Sequence, residues 1–132
     1  MRPIPLGAKG SFSLVVAPEH LASQFKDATL PPVLATPVMI MAMENAALNA
    51  IRPFLEPPET ALGTVVAVRH LAATPLGQRV RAEAEVTKVN GRRIEFTLSA
   101  RDESEEIGRG THERMIVDYD RIAGRLAAKR KP

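Results

Sequence analysis

Hydrophobic positions along this chain change their period once, from helical to alternating, and the change separates one long helix from a run of strands. Residues 11–17, SFSLVVA, read as a first strand, and residues 19–26 suit a short helix. The segment DATLPPVLA carries two consecutive prolines and reads as an irregular loop. From Thr36 to about Pro53 the period is helical: Met39, Ile40, Met43, Ala47, Ala50, Ile51 and Phe54 recur three or four apart, with Asn45, Asn49 and Arg52 opposite. Thr36-Pro37 predicts the helix start, with threonine as N-cap and proline at a position that needs no N–H. FLEPPETALG is proline-rich and ends the helix. After it the period is two. Residues 64–73 are a β-branched run. In 79–89, Val80, Ala82, Ala84 and Val86 alternate with charged and polar residues, and in 92–101 Ile94, Phe96, Leu98 and Ala100 do the same. Asn90-Gly91 predicts a hairpin between those two runs. The acidic turn DESEE leads into a last strand, 106–118, and a short basic helix or frayed tail follows.

A single helix with a wide apolar stripe needs a sheet to cover it. The expected fold class is therefore α+β, a curled antiparallel β-sheet wrapped around one long central α-helix. It forms one domain over residues 1–132, with 1–10 and 126–132 as loose ends. Such a layer leaves sheet edges uncovered, which predicts dimerisation.

Composition narrows the function classes. With 45% hydrophobic residues the chain is not disordered; with 4% aromatics and no tryptophan its core must be aliphatic. The absence of cysteine removes disulfides, thiol nucleophiles and cysteine metal sites, and fits a reducing cytoplasm. No run of 18 apolar residues suggests a membrane span, and MRPIPLGAKG lacks the apolar core of a signal peptide. The three histidines lack paired spacing, so no metal site is expected, and GRGT at 108–111 is too short for a phosphate loop. A net charge of +3 favours phosphate-bearing partners, which include coenzyme A and nucleic acids. The strands lack the interleaved aromatics that stack bases, so no nucleic-acid partner is expected.

Three polar residues stand out in apolar surroundings. Thr36 opens the helix, Glu44 sits on the flank of its stripe, half-turned toward the core, and His70 lies near the end of GTVVAVRH. A hydroxyl, a carboxylate and an imidazole are the parts needed to hydrolyse an ester or thioester. Each also has a plain reading: an N-cap, a surface ion pair, a packed strand histidine. Gly63 suits either a turn with positive φ or a backbone N–H facing a carbonyl. Arg114 suits a surface ion pair or a fork for phosphates. His112, on the same strand face as Arg114, reads as packing or support. Met39, Met41 and Met43 read as core filling, with some of them free to line an acyl pocket.

The segments VLATPVMIMAMENAA, FLEPPE, LGTVVAVRHLAATPLG, VNGRRIEFTLSARD and EIGRGTHERMIV resemble the fluoroacetyl-CoA thioesterase group of hotdog-fold proteins. The likeness covers roughly residues 10–125. It implies a hotdog fold and hydrolysis of a small or short-chain acyl-CoA, with Thr36, Glu44 and His70 as the catalytic set. It implies that Gly63 contacts the acyl-CoA and that Arg114 is associated with coenzyme A. It further implies a homodimer with each active site at the subunit interface; association of two dimers into a tetramer is left open by the sequence. No cofactor is implied, since coenzyme A is part of the substrate. The alternative is a non-catalytic acyl-CoA-binding module of the same fold. Two positions depart from the pattern. The fluoroacetate-handling member has gating phenylalanines before the threonine, where Asp27 and Leu30 stand here. Pro37 follows the threonine in place of glycine and has no N–H for an oxyanion.

Overall fold

The alternating runs pair into one antiparallel sheet, and the helical run lies across it. The computed structural model describes residues 1–130. In chain order the elements are β1 (Lys9–Val15), a 3₁₀ turn (Pro18–His20), α1 (Ala22–Phe25), α2 (Thr36–Ile51) and a second 3₁₀ turn (Arg52–Phe54). Then come β2 (Glu59–His70), β3 (Arg79–Asn90), β4 (Arg93–Arg101), β5 (Glu106–Asp118) and α3 (Tyr119–Lys129). The strand order is β1-β3-β4-β5-β2. Val80, Ala82, Ala84 and Val86 of β3, and Ile94, Phe96, Leu98 and Ala100 of β4, are all buried, while their neighbours face solvent. That is the dry and wet face expected from a period of two.

The buried stripe of α2 is Val38, Met39, Ala42, Met43, Ala46, Ala47, Ala50 and Ile51. It is offset from the expected one: Ile40 is only half-buried, while Val38, Ala42 and Ala46 are buried. Glycine makes the close approach possible. A Cβ on Gly10 of β1 would overlap the Ala46 carbonyl and the Ala50 amide, and one on Gly108 of β5 would lie 2.6 Å from Met39 Sδ. The helix therefore rests chiefly on β1 and β3.

Other boundaries moved for local reasons. The helix ends at Ile51 and continues as the 3₁₀ turn. β2 starts at Glu59, five residues before the β-branched run, and stops at His70. The hairpin turns on Gly91 and Arg92, since Asn90 pairs with Arg93 and Gly91 alone has positive φ (62°), the pattern of a two-residue loop with glycine first. Residues 1–10 are not a loose end. Ile4 is buried, Arg2 N–H donates to the Phe54 carbonyl at 2.8 Å, and the terminal ammonium lies 3.0 Å from Glu59 Oε2. Of the other expected loose end, residues through Lys129 are helical, and 131–132 lie outside the described residues. Among the described residues no helix is long and apolar enough to cross a membrane.

β2 is an edge strand of 12 residues, and Leu62, Val65 and Val66 on it are exposed in the protomer. A long apolar edge of this kind is a template for pairing with another chain.

Candidate active site

Thr36 and His70 meet. Thr36 Oγ1 and His70 Nδ1 are 2.7 Å apart, although 34 residues separate them in sequence. Ala35, not Thr36, is the N-cap of α2, and it offers no side-chain cap. The threonine hydroxyl is thus released from capping and spent on the imidazole. Pro37 in the first turn explains how the helix tolerates this, because it removes one of the donors a cap would satisfy. His70 Nε2 is buried and has no hydrogen-bond partner among the described residues. Burial pushes the His70 pKa below its ordinary value of 6.5, so the ring is neutral around neutral pH. A hydroxyl bonded to a neutral imidazole, with one ring nitrogen idle, can pass a proton to or from a reacting group.

A cavity of about 520 Å³ opens beside this pair. Leu30, Val33, Leu34, Leu71 and Ala72 line it, with Thr36 and His70. Three segments are stapled together to build it. Ala22 N–H donates to the Val33 carbonyl at 2.7 Å, Leu34 N–H to the Thr74 carbonyl at 2.8 Å, and Ala35 N–H to the His20 carbonyl at 2.9 Å. Lys26 brings the only ammonium or guanidinium among its lining residues.

Glu44 lies elsewhere. It is eight residues along α2 from Thr36, about 12 Å at 1.5 Å per residue. Its Oε2 is 3.8 Å from Arg114 Nη1, and its side chain is 37% exposed in the protomer. Gly63 faces the same carboxylate: a Cβ there would lie 3.0 Å from Glu44 Oε2 and 3.4 Å from His112 Cε1. Gly63 has no positive φ. A side chain there would press on the carboxylate and shift it by a few tenths of an ångström. The β2–β5 register also shifts between Gly63 and Val65.

Arg114 is placed differently from the expected phosphate fork. Only 10% of its side chain is exposed; Nη2 donates to the Ala61 carbonyl at 2.7 Å and Nη1 to His112 Nε2 at 3.2 Å. A guanidinium turned inward in this way holds a carboxylate rather than a solvent-borne phosphate in the protomer. His112 completes the group, with Nδ1 donating to the Val65 carbonyl at 2.7 Å and its ring stacked on Phe96. Its alternation with Arg114 was visible in sequence; its bond to the edge strand was not. Among the described residues no group of three or more histidine, cysteine, aspartate or glutamate side chains suits a metal ion.

The chain therefore carries two separate polar groups, a hydroxyl–imidazole pair with a cavity and a carboxylate–guanidinium pair with a glycine. Comparison with known proteins places this arrangement. The family described as fluoroacetyl-CoA-specific thioesterase matches residues 16–120. The fluoroacetyl-CoA thioesterase of Streptantibioticus cattleyicolor is 39% identical over 94% of this chain and 93% of its own length. A solved structure of a fluoroacetyl-CoA thioesterase superposes with a TM-score of 0.91 at 36% identity, covering 98% of this chain and 99% of that one. A variant of it, solved in complex with acetyl-CoA, has the same TM-score and identity over 96% of this chain and 99% of that one. A thioesterase superfamily member from Thermus thermophilus superposes with a TM-score of 0.89 at 35% identity, over 97% of this chain and 94% of that one.

Proposed function

This chain belongs to the fluoroacetyl-CoA-specific thioesterase family, and on that premise we propose how its residues divide the work of hydrolysis. It is an acyl-CoA thioesterase of the hotdog fold, releasing a small or short-chain acid and coenzyme A. Glu44 acts on the thioester carbonyl, either by deprotonating the attacking water or by adding directly and being released by water. The C–S bond breaks, and His70, which Thr36 orients, carries the proton released by the attacking water to the leaving thiolate. The backbone at Gly63 faces the carbonyl oxygen, and Arg114, 3.8 Å from the carboxylate, holds Glu44 in place.

The observation that carries this reading is the 2.7 Å Thr36–His70 bond beside a cavity, with Glu44 absent from it. Reacting atoms must approach within about 3–3.5 Å. A carboxylate roughly 12 Å along the same helix does not reach the carbonyl served by Thr36 and His70. A second copy resolves the gap. A two-fold dimer joined through β2 edges pairs those strands antiparallel. Antiparallel pairing brings the Gly63 end of β2 alongside the His70 end of β2 in a second copy. Each site then takes Glu44, Arg114 and Gly63 from one protomer and Thr36 with His70 from the other. The exposed Leu62, Val65 and Val66 are covered in the same step.

A thiol-release assay across an acyl-CoA panel tests the reading. Turnover is expected to be highest with acetyl, propionyl and other small acyl groups. Binding of acyl-CoA with no free thiol released would mean that the chain only holds its ligand.

Because Arg114 is turned inward, another cation must meet the phosphates of coenzyme A. Lys26 at the rim of the cavity is the candidate. Lys26→Ala is expected to raise KM about three- to tenfold, the effect of one exposed ion pair of ~1 kcal/mol, with kcat little changed. Steady-state kinetics at two ionic strengths check this, since high salt should shrink the difference. Acyl-pantetheine, which lacks the nucleotide phosphates, serves as the second substrate.

A further inference from the structure

His112 makes two hydrogen bonds that fix its chemistry. Its Nδ1 faces the Val65 carbonyl at 2.7 Å, and a carbonyl only accepts, so Nδ1 carries the proton. Its Nε2 faces Arg114 Nη1 at 3.2 Å, and a guanidinium only donates, so Nε2 carries the lone pair. Both partners require one neutral tautomer. The ring is 2% exposed and is held from below by Phe96. The groups facing it are Arg114 on its own strand, Glu44 on α2, the Val65 carbonyl on β2 and Phe96 on β4, while Glu113 next to it on β5 acts from the other face of the sheet. Burial drives its pKa down and Arg114 acts the same way, against the Val65 carbonyl, Glu44 and Glu113.

The consequence reaches Glu44. Arg114 has two anchors besides the carboxylate, the Ala61 carbonyl and His112. Its Nη1 serves both His112 and Glu44, at 3.2 and 3.8 Å. We propose that His112 is a positioning residue of the thioesterase reaction: as a neutral imidazole anchored on edge strand β2, it accepts from Arg114 and so sets the guanidinium that aims Glu44. The inference rests on the reading of Glu44 as the group that attacks or activates water. It adds a link from the β2 edge to the carboxylate, passing through Val65, His112 and Arg114. Protonation of His112 breaks the link, because an imidazolium has no lone pair to offer Arg114.

Three variants test it. His112→Asn keeps a donor for the Val65 carbonyl but withdraws the acceptor from Arg114. His112→Gln extends an amide oxygen toward Arg114 and so restores that acceptor. His112→Phe removes both bonds while still filling the space against Phe96. Loss of the acceptor leaves a buried charged donor short of a partner, an effect of about tenfold or more. His112→Asn and His112→Phe should lower kcat about tenfold with KM within about twofold, and His112→Gln should recover most of the loss. The acid limb of the kcat–pH profile should shrink in His112→Gln, which has no group to protonate there. Normal kcat in His112→Asn, or an unchanged acid limb in His112→Gln, overturns the proposal. If His112→Asn fails to fold, His112→Gln alone decides through its pH profile. Glu44→Gln is measured alongside: near-normal turnover in it sinks the parent reading, whereas an inactive Glu44→Gln with an unaffected His112→Asn sinks only this one.

Discussion

Glu44→Gln and His70→Ala are each expected to lower kcat about a hundredfold or more, since each removes one proton-handling or attacking group. Co-expressed in one cell, the two inactive chains are expected to regain about a quarter of wild-type activity. The recovery follows from the proposed assembly. Random pairing makes half of the dimers mixed. In a mixed dimer one site draws both defective residues, and the other draws the intact Glu44 of one chain and the intact Thr36 and His70 of its mate. Differently tagged chains, purified as the mixed species and assayed for thiol release, should show about half the wild-type rate. If one chain supplied its whole catalytic set, every site in the mixed dimer would carry one lesion and no recovery would appear. The separation of Glu44 from the Thr36–His70 pair in the protomer argues for recovery.

The largest expected effect on stability is at Gly10. Alanine there places a methyl carbon into the backbone of α2 at Ala46 and Ala50, and backbone cannot swing aside as a side-chain tip can. The helix must rise from β1, loosening the packing of Ala46, Ala47 and Ala50, all of which are buried. Overpacking of this kind costs about 3 kcal/mol, and for a chain of this size that lowers Tm by roughly 10 °C. Gly124→Ala in α3 is the control. Nothing lies within 4 Å of its added carbon, and the helix gains from alanine's better propensity, so Tm should stay level or rise slightly. Thermal unfolding followed by circular dichroism checks both. A Gly10→Ala protein that melts with wild type would mean that the helix does not sit so close to β1.

Some of this was legible from the residues alone. Alternation from 79 to 101 set the two faces of β3 and β4, because side chains two apart share a face and solvent accepts only the polar set. The helical period placed α2 within three residues of its observed end. The start of β2 was not legible, since Glu59 and Thr60 follow a proline pair and read as turn. Nor was the docking of the first residues, which depends on Phe54, Glu59 and Val86, partners far away in sequence.

The candidate site divides in the same way. Thr36, Glu44 and His70 stand out because polar residues interrupt apolar runs, a signal carried by neighbours in the chain, whereas Gly63 and Arg114 are singled out by the resemblance to the family. What each one faces was decided by the order β1-β3-β4-β5-β2, which lays β5 against β2 and so brings Gly108 beside His70 and Arg114 beside Gly63. Local sequence sets which way a side chain points from its own strand or helix. Its neighbours across the sheet follow from long-range pairing, and that pairing turned Arg114 inward to Glu44, tied Thr36 to His70, and left the two pairs apart on one protomer.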